Sequence, residues 1–255
     1  MYELIYDEEQ VLKFLSLLKP LQNDEAYFLS MSGRNKYLTK EERQAFDLGR
    51  TEMFARKLVK RDLTGRLTSE QMFLRTLKSM QVSEGGYTTR SGKGMPLKCL
   101  VMYANINPVS GFKALKMFTE KTTALLFDTC TNPNAVTRIN HLDTLLMNCY
   151  QKSKSEKYLI DIDFDVPNDG YGIVSGFCQE LIKNNVVFNT VRTHSGYHVL
   201  LRRDTVKFNY TTLVKEANAD AIKVYGNDHV EVVINRNEMI PIPGTLQAGS
   251  EVFFV

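Results

Sequence analysis

The sequence predicts an α+β protein whose C-terminal part follows a split βαβ plan. Three observations predict it. A strand–helix–strand–strand–helix–strand rhythm runs from residue 158 to 235. Helix caps and amphipathic runs dominate the first 150 residues. The composition, 43% hydrophobic and 24% charged over 255 residues, is that of a chain with a sizeable core. Such a mix excludes a disordered or fibrous chain. No apolar run approaches the ~20 residues that span a bilayer. The acidic start, Met1 to Glu9, is no secretory signal.

In chain order, Glu8 to Lys19 reads as an amphipathic helix stopped by Pro20, and Ala26 to Met31 as a short strand. Thr39 with Glu42 three residues on is a capping box, and the helix it opens is expected to run to about Arg61. Thr68 with Gln71 caps a second helix at 68–80. Residues 83–95 form a Gly-rich basic loop. It fails as a phosphate loop because Lys93 is followed by Gly94 rather than Ser or Thr. Leu97 to Ile106 is a strand closed by Asn107-Pro108, with helices at 111–127 and 134–151 beyond it. The polar run Lys152 to Lys157 is an internal break. Strands at 158–165, 186–193, 197–203 and 229–235 with helices at 171–184 and 209–224 then give the βαββαβ order. This plan puts helices on one sheet face and leaves the other free for a site.

The net charge of +3 says little, but its distribution says more. Residues 31–66 hold ten Lys or Arg against five acids. Arg34, Lys36 and Arg50, with Arg90 and Lys93 of the loop, are therefore candidate nucleic-acid contacts. The competing reading is a solvated helix face, since Glu41, Glu42, Asp47, Glu52 and Asp62 are interleaved. The cysteines Cys99, Cys130, Cys149 and Cys178 have no zinc-ligand spacing, so no zinc site is apparent, and a reducing, cytoplasmic location is expected.

Tyr158-Leu159-Ile160-Asp161-Ile162-Asp163-Phe164-Asp165 is the most informative segment. Alternation puts the three aspartates on one face and Ile160, Ile162 and Phe164 on the other. Aligned carboxylates repel, and a hard divalent cation relieves the repulsion, so Asp161 and Asp163 are candidate ligands for Mg²⁺ or Mn²⁺. Asp165 reads as a cap of the following turn. A second segment, Thr190 to Leu201, holds a Ser195-Gly196 turn between two strands. His198 is there a candidate for hydrogen-bonding a phosphate, and Arg192 and Arg202 add positive charge. A Ser-His-Asp hydrolase fits poorly because Ser195 lacks the GxSxG elbow.

Together these segments resemble the archaeo-eukaryotic primase superfamily, the primase-polymerases, in their phage and plasmid forms. Ile160-Asp161-Ile162-Asp163 is similar to the family's Asp-x-Asp strand, and Gly196-Tyr197-His198 to its histidine motif. Val230-Glu231 is similar to its later acidic motif, with Asp228 as fallback. Pro243-Gly244-Thr245 is similar to its Pro-Gly-Thr segment. The position where the family often has an arginine is Pro241, and Arg236 or Arg202 would substitute.

The resemblance implies an RRM-like catalytic sheet at 97–255 behind an N-terminal, mainly helical α/β layer at 1–96. It implies a DNA primase or primase-polymerase acting in replication, in which Asp161, Asp163 and Glu231 hold two metal ions and His198, with Ser195 and helped by Arg192 and Arg202, binds the incoming nucleotide's phosphates. Nucleoside triphosphates, a single-stranded DNA template, and a helicase or accessory domain beyond residue 255 are the implied partners, with no membrane. A phage-encoded protein in the host cytoplasm would fit. The rival readings are a metal-dependent nuclease, a non-enzymatic RNA-recognition-like binder, and a catalytically inactive primase-like protein.

Overall fold

The computed structural model describes residues 2–46, 49–89, 92–167, 169–226 and 230–255. It is a mixed α+β chain built on two antiparallel sheets. The first half supplies α1 (Glu8–Leu17), β1 (Glu25–Arg34), α2 (Lys40–Phe46), β2 (Thr51–Lys60), α3 (Ser69–Lys78), β3 (Leu100–Asn105) and β4 (Val109–Ser110). Then come α4 (Gly111–Thr131), α5 (Val136–Ile139) and α6 (Leu142–Lys152). The second half supplies β5 (Leu159–Asp165), α7 (Tyr171–Lys183), β6 (Phe188–Thr193), β7 (Gly196–Arg202), α8 (Tyr210–Tyr225) and β8 (Glu231–Ile234). The chain closes with β9 (Met239–Pro241), β10 (Leu246–Gln247), β11 (Ser250–Glu251) and β12 (Phe253–Phe254).

Local chemistry sets the helix starts. Asp7 accepts hydrogen bonds from the Glu9 and Gln10 amides at the head of α1. Thr68 and Gln71 form a complete capping box on α3. Thr39 and Glu42 exchange the same pair of bonds at 2.8 and 3.3 Å. The helix they open is described as far as Phe46, and Thr51–Lys60, expected to continue it, is the strand β2. Backbone pairing explains the difference. Residues 51–60 pair along β1 from Ala26↔Lys60 to Arg34↔Thr51, with a bulge at Met31/Ser32. That ladder and the packing it brings outweigh a modest helix propensity.

The first sheet has the order β11-β10-β3-β1-β2, with β4 on β1 and β9 on β3. Tyr27, Leu29 and Met31 on one face of β1 join Phe14 of α1 and Phe73 and Leu77 of α3 in one core. On the other face Ala26, Phe28 and Leu58 are covered by α4 and α6. The N-terminal region is thus a sheet with helices laid on it rather than a mainly helical layer. The line drawn at 96/97 crosses this sheet, since β3 pairs with β1 and the C-terminal β9 and β10 pair with β3.

The second sheet has the order β12-β6-β7-β5-β8. Ile160, Ile162 and Phe164 face α7 and α8. The opposite face turns to the first sheet, and Leu159, Val191 and Leu200 join its core. Asn107 ties the two sheets. Its Oδ1 accepts from the Tyr158 and Leu159 amides at 2.7 and 2.8 Å, and its Nδ2 donates to the Leu159 carbonyl at 2.9 Å. The Pro243-Gly244-Thr245 segment is structural. The Gly244 carbonyl accepts from the Tyr6 and Asp7 amides, and Gly244 takes φ +86° with no room for a Cβ, which would lie 2.1 Å from the Asp7 carbonyl oxygen.

Candidate functional site

Where the two sheets diverge they leave a cleft of about 570 Å³. Its first wall is the polar end of β1, Ser30, Ser32 and Arg34, with Tyr103 of β3 beside it and Thr51 and Met53 of β2 across from it. The alternation that puts Met31 in the core turns these β1 side chains to the other face, toward the cleft. The second wall is the aspartate face of β5 with β7.

Asp161, Asp163 and Asp165 do share a face, and the register grades their burial. Asp161 stands opposite Leu200, Asp163 opposite His198 and Asp165 opposite Gly196. Asp161 is 0% exposed, whereas the Asp163 side chain is 38% exposed. Asp161 is already engaged. Both its oxygens lie 3.1 Å from His198 Nδ1, and Asn235 Nδ2 donates to Oδ2 at 2.7 Å. The backbone amide of Asn235 also donates to the Asp161 carbonyl at 2.9 Å.

The three carboxylates set the charge of His198. Burial alone would lower its pKa, but Asp161 and then Asp163 outweigh it and raise it from 6.5 to about 9. At neutral pH it is an imidazolium held on a buried carboxylate. Burial pushes the Asp163 carboxyl up, against the pull of His198.

Facing this acidic strand across the cleft are three cations, Arg34, Lys36 and Arg50. Arg34 donates to the Tyr103 hydroxyl at 2.8 Å, and Lys36 donates to Ser195 Oγ at 3.3 Å. Desolvation lowers the Lys36 pKa, Asp165 opposes that, and Arg34 adds to it. The cleft thus pairs carboxylates on one wall with guanidinium and ammonium groups on the other, the layout that holds a polyanion together with a cation.

Other expected site residues lie elsewhere. Glu231 is exposed opposite Asp165 and does not line the cleft; the position nearest Asp161 on that side is the amide Asn235. Arg202 is exposed at the far end of β7 and bonds Asp204 at 2.7 Å. Arg192 is on the face opposite to His198, since its neighbour Val191 is the residue paired with His198, and it stacks on Phe253. Lys93 donates to the Ala45 carbonyl at 2.6 Å, outside the cleft. Arg90 and Asp228 lie outside the described residues. Asp161 and Asp163 are therefore brought together at His198 without Glu231, and among the described residues no three His, Cys, Asp or Glu side chains are grouped as around a metal ion. Asp163 and Asp165 are the acidic pair that lines the cleft.

Asn235 and Tyr103 gave no sequence signal. Each is an ordinary polar residue at a strand end or in a buried strand, and only the fold brings it to the site. Among the described residues no helix is long and apolar enough to cross a membrane. The chain matches no protein-family model, no curated protein and no solved structure.

Proposed function

We propose that the cleft binds a nucleoside triphosphate and that the protein is a metal-dependent nucleotidyltransferase of the primase-polymerase kind. The observation that carries this reading is the convergence of Arg34, Lys36 and Arg50 on one wall opposite Asp163, Asp165 and the His198 imidazolium on the other. The order β6-β7-β5-β8, with α7 and α8 on one face, supports reading the second sheet as RRM-like.

Two carboxylates fit a Mg²⁺ or Mn²⁺ site, because such ions are held by one or two carboxylates and completed by substrate phosphates. Asp163 and Asp165 would hold the ion, which would supply charge neutralisation at the phosphates. Arg34, Lys36 and Arg50 would grip the remaining phosphate oxygens. His198 would present its free ring nitrogen to the cleft, oriented by Asp161, and Asp161 becomes the anchor of the histidine rather than a ligand. A single-stranded DNA template would run along the edge strand β2, where Lys57, Lys60 and the following Arg61 are exposed.

Titration calorimetry with a nucleoside triphosphate and Mg²⁺ tests the binding step. Charge-assisted bonds are worth about 1.5–3 kcal/mol each, so Lys36→Ala/Arg50→Ala should weaken binding by about a hundredfold or more. The wild-type affinity should fall as salt rises. Equal affinity of wild type and variant, or no wild-type binding, would reject the reading.

A further inference from the structure

Ser30 lines the cleft and Asn105 lies just beyond its lining, and both side chains lack a hydrogen-bond partner. Ser30 Oγ and both amide atoms of Asn105 are buried and make no hydrogen bond. The residues are 0% and 1% exposed. Register makes them neighbours on the cleft face of the first sheet. Ser30 pairs with Tyr103, and Asn105 is the next position on that face, directly across from Met239. Unpaired buried polar atoms cost stability, and in a native protein such groups ask for an explanation.

Their surroundings supply one. Besides Ser30, the cleft lining holds the neutral polar groups Ser32 and Gln151 and the three cations Arg34, Lys36 and Arg50. Ser30 and Arg34 are four residues apart on one strand, ~13 Å. That is a separation suited to a nucleoside carrying its phosphates rather than to a free phosphate.

Resting on the nucleotide reading above, we infer that the Ser30 end of the cleft, opened onto Asn105, is the nucleoside pocket, where the two side chains receive a neutral edge that carries a hydrogen-bond donor beside an acceptor. A carboxamide offers one of each, which matches a nucleobase edge or a pair of sugar hydroxyls. Met239 and Gln151 are the residues that move to uncover the amide. Both are unbranched, and the 3.7 Å contact between Gln151 Nε2 and Met239 Sδ is weak. The cleft therefore selects among nucleotides, and not merely among phosphates.

The test measures affinities of the four ribonucleoside triphosphates, their deoxy counterparts and inorganic triphosphate for wild type, Asn105→Leu and Ser30→Ala. Wild type should prefer at least one nucleotide over inorganic triphosphate by about tenfold or more. Asn105→Leu should erase that preference, with inorganic triphosphate bound as before. Its thermal midpoint should rise, because an unsatisfied amide has been replaced by a similar apolar volume. Ser30→Ala, the milder change, should weaken the preference in the same direction. Loss of discrimination between bases would identify the nucleobase edge as the group received. Loss of discrimination between ribose and deoxyribose would identify the sugar. Unchanged discrimination in Asn105→Leu, or a lower midpoint, would overturn the inference while leaving the phosphate site intact. Failure of inorganic triphosphate to bind wild type would reject the underlying nucleotide reading, and the inference with it.

Discussion

Replacing His198 with alanine should destabilise the protein by about 3–5 kcal/mol, because it strands a buried carboxylate. Asp161 is fully buried, with both oxygens 3.1 Å from His198 Nδ1, and Asn235 is its other side-chain partner. One neutral amide does not replace an imidazolium. Adding Asp161→Asn to His198→Ala should therefore restore part of the loss, since the charge that lacked a partner is then gone. Urea denaturation of the two variants measures both effects. A His198→Ala protein within about 1 kcal/mol of wild type would show that the pair contributes little.

The same pair predicts a pH dependence. The folded-state pKa of His198 is raised to about 9 from 6.5. The folded state therefore holds the proton more tightly than the unfolded chain. The stabilisation is complete below about pH 6.5 and is lost as pH rises through about 9, an effect of roughly 3 kcal/mol. Denaturation midpoints of wild type should fall across this window. In His198→Ala that part of the fall should be missing.

Gly196→Ala is the second large effect. A Cβ on Gly196 would lie 1.8 Å from the Phe164 carbonyl oxygen and 3.2 Å from the Val166 amide nitrogen. Both neighbours are backbone, so no side chain can swing aside. The strands β5 and β7 must part at the Asp165–Gly196 pair, next to the Asp163–His198 pair that forms the site. The expected cost is about 3 kcal/mol, with triphosphate binding impaired as well. Wild-type stability and binding in this variant would contradict the close approach of the two backbones.

The sequence made some of this legible for definite reasons. Aspartates at every second place of an apolar strand can share a face, and the structure puts them on one. The helix caps at Thr39 and Thr68 depend on local chemistry, and that chemistry is in place. What depended on distant partners was not legible. Residues 51–60 carry enough helix-forming side chains to pass for a helix until β1 is laid beside them. The sequence separates Asp161 as a ligand from Asp165 as a turn cap, whereas the cleft is lined by Asp163 and Asp165 and not by Asp161. Burial sets Asp161 apart, because Leu159 and Leu200 pull one end of that face into the core of the first sheet. Arg34 and Arg50 stand out as basic residues, but that they confront Asp163 across a cleft is decided by packing between the two sheets. The Pro-Gly-Thr segment reads as part of a catalytic pattern, whereas its contacts here fasten the N-terminal segment to the end of the chain.

The proposed nucleotidyl transfer in the cleft can be assayed directly. The most direct test incubates the protein with single-stranded DNA, labelled nucleoside triphosphates and Mn²⁺ or Mg²⁺, with and without a primer, beside an Asp163→Asn/Asp165→Asn variant shown to be folded. Labelled product is expected from wild type and none from the variant. A template that is cut instead, or no product from the wild type, or equal product from both proteins, would contradict the proposed transfer.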